Sequence, residues 1–180
     1  MSASSKKPGL QKSEVQKPEL QKSSTSVAMP QLFAHGAVHN CFGCGQTNKS
    51  GLRLKFFVGE DQRILCRVRI PRRFQGPPGY VHGGVIATLL DEAMSKSNRQ
   101  FGVLAMTRQM EVEYLKPVPL STPIEISARH VSASGRKHHC EAEIAAADGT
   151  VLARGKALFI AIPVDYLQKA ELEISGATKP

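Results

Sequence analysis

The 180-residue chain has no tryptophan, and aromatic residues make up only 6% of it. A surface that stacks unpaired bases needs aromatic faces, so such a platform is poorly supplied here. Four cysteines are too few for a disulfide scaffold in a chain of this length. No uninterrupted apolar run is long enough to span a membrane, and no apolar signal-peptide core follows Met1. These absences lead us to expect a cytoplasmic protein that neither enters a membrane nor binds nucleic acid. Negative charge is also scarce, with 24 Lys and Arg against 15 Asp and Glu, a net +9. That excess divides as +3 over residues 1–40, +7 over 41–163 and −1 over 164–180. The basicity therefore belongs to the body of the chain and suits an anionic partner, either a phosphate-bearing cofactor such as coenzyme A or nucleic acid, the latter resting on charge alone.

Residues 1–34 are expected to be a disordered extension, because Ser, Lys, Gln and Pro dominate and Pro8–Ser13 nearly recurs as Pro18–Ser23. Residues 35–163 are read as one domain and 164–180 as a tail. Leu52–Val58 and Gln62–Ile70 alternate apolar and polar residues, the signature of strands with one buried face. Arg63, Arg67 and Arg69 then form a charged outer face. Four further extended segments follow, separated by Pro117-Val-Pro119, Ser134-Gly135 and Asp148-Gly149. Between the two groups, Pro77, Pro78 and Gly79 break the chain, and apolar residues then recur at helical spacing. A helix is expected to start just after His82. It places Ile86, Leu89, Leu90 and Ala93 on a core stripe, and Gly84, Ala87, Thr88, Asp91, Met94, Ser95 and Asn98 opposite. The order β-β-α-β-β-β-β with short turns predicts an α+β domain, an antiparallel sheet covered by one long helix.

Chemistry concentrates at this helix. Gly83 and Gly84 leave backbone N–H groups open at the positive end of the helix dipole, a ready oxyanion site. His82 beside them is suited either to capping the helix or to hydrogen-bonding a substrate carbonyl. Asp91 is a carboxylate able to activate water or attack directly. Glu92, 100° further round, is expected at the surface or rim and is the second-choice carboxylate. Gly84 and Asp91 are seven residues apart, about 10 Å of helix, too far to act on one carbonyl. If both are catalytic, they come from different subunits. The loop Ser134-Gly-Arg-Lys137 offers two cations, Arg136 and Lys137, for a phosphate. His35, His39, Cys41 and Cys44 carry zinc-type side chains, but Phe42-Gly43 and Gly45 read equally as a turn, and no metal is expected.

His82-Gly83-Gly84, with an Asp nine residues after the His, resembles the hotdog-fold acyl-CoA thioesterases of the phenylacetate-pathway (PaaI-like) type. The run Phe74-Gln-Gly-x-x-Gly-x-Val-His-Gly-Gly84 is similar to one subgroup of them, and the likeness extends from about Cys41 to Pro163. The resemblance implies hydrolysis of acyl-CoA to acid and CoA with no cofactor. It also implies a homodimer or homotetramer with shared sites, oxyanion donors at Gly83 and Gly84, and Asp91 supplied by the partner as base or nucleophile. Thr107 matches a position where relatives place a Ser or Thr near the reacting centre. Many relatives carry an Asn where Gly76 stands here, and Gln75 beside it is the substitute candidate. A non-catalytic or hydratase-type hotdog protein that binds acyl-CoA is the alternative.

Overall fold

The computed structural model describes residues 40–59, 61–163 and 165–166, together with the short strand β1 (Val27–Ala28). In chain order there follow β2 (Phe57–Val58), β3 (Ile64–Arg69), a 3₁₀ turn (Arg72–Phe74), α1 (Gly83–Arg99), β4 (Ala105–Tyr114), β5 (Pro123–Ser134), β6 (Lys137–Ala146) and β7 (Val151–Ala161). All neighbours pair antiparallel in the order β1-β2-β3-β5-β6-β7-β4. The sheet curls around α1, which packs on β3, β4, β5, β6 and β7. This is the hotdog arrangement expected from the element order.

The core follows from alternation. Ile64, Cys66 and Ile70 from the β3 segment, Ile124 and Ile126 from β5, Ile144 from β6 and Phe159 from β7 are all buried against Ile86, Leu89, Leu90 and Ala93 of α1. Gly155 lets helix and sheet close, since a Cβ there would lie 3.3 Å from Met94 Cε and 3.4 Å from Leu90 Cβ. On the outer face Arg67 pairs with Glu125 at 2.7 Å and Arg63 with Asp61 at 2.8 Å, as a solvated charged face should.

Three expectations are corrected. Only Phe57–Val58 of the segment 52–58 joins the sheet. Leu52 N–H donates to Phe42 O at 2.8 Å and Leu54 N–H to Gly43 O at 3.0 Å, so these residues pair with the preceding loop instead. Met94 and Asn98, assigned to the face opposite the core, are buried, as are Lys96 and Ser97. The reason is double coverage of the second half of α1. Loop 41–54 covers one side, while Cys140 of β6 donates its thiol to Asn98 Oδ1 at 3.3 Å on another. Third, Val27–Ala28 lies within the stretch read as a disordered extension, yet Val27 pairs with Val58. The remainder of 1–34, and the tail beyond Tyr166, fall outside the described residues.

Candidate active site

The segment before α1 is a tight hairpin. His82 N–H donates to Phe74 O and Gly76 N–H to Tyr80 O, both at 3.0 Å, and Val81 N–H ties the unit to Val118 O at 2.9 Å. Gly79 turns the chain at φ +87°, the left-handed region that glycine enters without strain. Gly76 is required for a different reason, because a Cβ there would stand 2.8 Å from His82 Cα. Gln75, bridged to Val81 and exposed, rides on this hairpin close to His82 in the chain.

His82 is the N-cap of α1, and its Nδ1 accepts the Gly84 N–H at 3.0 Å. The Val85 and Ile86 N–H groups donate to His82 O at 2.9 and 3.1 Å. Of the four first-turn amides, these bonds use three and leave the Gly83 N–H outside them. The capping role and the two-glycine oxyanion pair expected from the sequence therefore compete, and the Gly84 amide is already engaged. Because Nδ1 accepts, the proton of the neutral ring sits on Nε2, which faces outward from an exposed side chain. Tyr114 Oη donates to Gly83 O at 3.2 Å and fixes the first peptide of the helix from β4.

Asp91 is half-buried on α1, and Thr107 Oγ1 donates to its Oδ1 at 2.7 Å. Burial pushes the Asp91 carboxyl above its ordinary value. The Thr107 hydrogen bond opposes that rise, and the neighbouring Glu92 adds to it. A bulge between Thr107 and Gln109 breaks the β4 register at this point, the kind of irregularity that re-aims a side chain. Eight residues separate Gly83 from Asp91, about 12 Å along the helix. Within one chain the Gly83 amide and the oriented carboxylate are thus too far apart to meet on one carbonyl.

Arg136 and Lys137 flank the β5–β6 turn, where Gly135 has φ +56°. Lys137 is in register with Ile160 of β7, and Ile160 with Met106 of β4. Two strand spacings, about 10 Å, therefore separate Lys137 from the neighbour of Thr107. The exposed cations and the Asp91–Thr107 pair share one end of the sheet. Arg136 Nε also donates to Ala161 O at 2.9 Å.

Glu92 is not a surface residue, contrary to expectation. Its carboxylate joins Cys41 and Cys44, with all three ligand-type atoms within 4.8 Å of one another. Lys96 adds a buried ammonium 3.2 Å from Cys44 Sγ. Of the sequence pattern His35, His39, Cys41 and Cys44, both histidines lie outside the described residues. The i, i+4 spacing of Glu92 and Lys96 was the one available signal that these two side chains act together.

Residues 78–153 match the family model described as Thioesterase superfamily. Among curated proteins, the chain is 32% identical over 111 residues to the acyl-coenzyme A thioesterase THEM4 of Rattus norvegicus, covering 61% of this chain and 48% of that protein. The Mus musculus THEM4 is 36% identical over 106 residues, 58% of this chain and 46% of that one. The chain thus spans about half the length of these curated relatives. Among solved structures, a thioesterase superfamily protein superposes with a TM-score of 0.59 at 33% identity, over 62% of this chain and 55% of that one. A Bacillus halodurans protein crystallised with CoA gives 0.50 at 31% identity, over 54% of this chain and 70% of that one. The antiparallel sheet curled around one helix is the hotdog fold, and residues 78–153, in which that helix starts on a histidine-capped glycine pair, are similar to the thioesterase superfamily.

Proposed function

We propose that this chain is an acyl-CoA thioesterase of the PaaI-like type, acting at sites that two copies build together. The observation that carries the reading is the Asp91 carboxylate, half-buried and held at 2.7 Å by Thr107 on a helix face of small residues. A carboxyl raised by burial is a better proton acceptor than a solvated one. Water adds to the thioester carbonyl while Asp91 takes its proton. The developing oxyanion is received by the Gly83 N–H at the helix start of the other copy, where the helix dipole favours negative charge. The carbon–sulfur bond then breaks, CoA leaves as the thiolate, and the acid remains. His82 holds the first turn in place and presents Nε2–H to the carbonyl side of the substrate. Arg136 and Lys137 supply positive charge for the CoA phosphates, and Gln75 faces the acyl thioester in the place of the Asn of relatives.

Pairing of two copies is supported by the sheet as well as by distance. β4 has β7 on one side and, among the described residues, no strand on the other, although it is ten residues long. It also exposes Met106 and Tyr114. A long edge strand of this kind is a template for another chain, and natural monomers usually blunt it. Gly84, Ala87 and Ser95 leave room for a partner helix nearby.

The test is a panel of short, medium, long and aromatic acyl-CoAs with free thiol as the readout. Thiol release from at least one class, absent in Asp91→Asn, is expected. Tight CoA binding without thiol release from any class would instead make the protein a binding module.

A further inference from the structure

Outside the proposed site, one buried cluster has chemistry that the hydrolysis does not use. Cys41 and Cys44 lie on a single helical turn, in which Gly45 N–H donates to Cys41 O at 2.9 Å. Cys41 is half-buried, whereas Cys44 is only 4% exposed. Their sulfurs and a Glu92 oxygen all lie within 4.8 Å of one another, and Cys41 Sγ is hydrogen-bonded to Glu92 Oε1 at 3.3 Å. Lys96, 3% exposed, donates from Nζ to Cys44 Sγ at 3.2 Å and stands 3.9 Å from Glu92 Oε2. Half-buried Arg99, one turn on, acts electrostatically on Cys44 as well. A buried ammonium needs a nearby anion. Glu92 is pushed toward its protonated form by burial. The Cys41 thiol, by contrast, is drawn down to about 4, first by the hydrogen bond from Cys44. That bond, with burial, pushes the Cys44 thiol up. Of the two sulfurs Cys41 is the accessible one and Cys44 the enclosed one, with the Lys96 ammonium beside the pair to favour a thiolate.

We infer that Cys41 and Cys44 form a reversible dithiol–disulfide couple, in which Cys41 attacks a hydroperoxide and Cys44 resolves the product. The Cys41 thiolate attacks the distal oxygen of the hydroperoxide, the O–O bond breaks, and the displaced alkoxide or hydroxide takes up one proton, giving a sulfenic acid and an alcohol or water. The Cys44 thiol then displaces hydroxide from that sulfur, forming the disulfide and releasing water. Overall the two thiols lose two electrons and two protons, and the hydroperoxide is reduced. An external dithiol reverses the change by exchange. The two cysteines share one turn, and their sulfurs already lie within 4.8 Å of each other. The Lys96 ammonium, 3.2 Å from Cys44 Sγ and 3.9 Å from Glu92 Oε2, already brings one positive charge to the cluster, and a metal cation there would have to stand against it.

Full-length reduced protein treated with hydrogen peroxide should lose two free thiols and about 2 Da in intact mass, with a Cys41–Cys44 crosslink in the digest, all restored by dithiothreitol. In Cys44→Ser, dimedone should trap a sulfenic acid on Cys41. Cys66 and Cys140, buried and with thiols pushed up by that burial, serve as internal controls. Iodoacetamide at pH 6 should label Cys41 at least about tenfold faster than either. Three results would overturn the inference: equal labelling of all four thiols, sulfinic acid on Cys41 with Cys44 still free, or a stoichiometric zinc that shields both until a chelator removes it.

Discussion

Asp91 and Thr107 are the residues on which the proposed chemistry rests, and their energetics have a definite sign. Burial raises the folded-state pKa of Asp91 above the ordinary value of 3.8. Between those two values the unfolded chain binds fewer protons than the folded one, so stability falls as pH rises. Above the raised value the full cost of the buried charge is present. Asp91→Asn should therefore lose about 10²- to 10⁴-fold in turnover while its melting temperature at pH 7 is unchanged or higher. Retained turnover, or a clear loss of stability, would count against a catalytic carboxylate. Thr107→Val removes the hydrogen bond that opposes the rise. The acidic limb of its pH–rate profile should move to higher pH, and Thr107→Ser should restore it. An unmoved profile in Thr107→Val would leave the threonine as strand filler.

At the scale of the element, the hairpin 74–82 and α1 act as one unit. Its central feature was legible in the sequence, because Pro77, Pro78 and Gly79 mark a break and the helix begins at Gly83, directly after His82. Alternation likewise marked which side of β3 is buried. It did not reveal pairing partners, which is why Leu52–Phe56 read as strand although its amides bond the loop at Phe42 and Gly43. A helical wheel assumes one buried stripe, whereas the second half of α1 is covered from several sides. Met94, Asn98 and Glu92 were misplaced for that reason. The competition between His82 and an oxyanion for the Gly84 amide is a matter of ring orientation, which spacing does not carry. Gly76→Ala tests the rigidity of the unit. With no room beside His82 Cα, the hairpin must open, and a loss of about 1–3 kcal/mol in chemical denaturation is expected. A neutral substitution would show that the hairpin yields freely.

At the scale of the whole molecule, one chain holds the parts of the proposed reaction but not their meeting point. The Gly83 amide and the Asp91 carboxylate lie on one helix about 12 Å apart. Among the described residues, the edge of β4 has no strand beside it, and the small residues of α1 leave room for a second copy. The surplus of positive charge within 41–163, with Arg136 and Lys137 at the Thr107 end of the sheet, suits a polyanionic substrate held beside such a junction. A two-fold arrangement would place the helix start of each chain against the Asp91 of the other and give two equivalent sites. Subunit exchange between two inactive variants, His82→Ala and Asp91→Asn, tests this most directly. Mixed dimers would hold one site with both residues intact and one with neither, so random exchange should restore about a quarter of wild-type thioesterase activity. A mixture that stays inactive after verified exchange, or a verified monomer with full activity, would contradict the shared site.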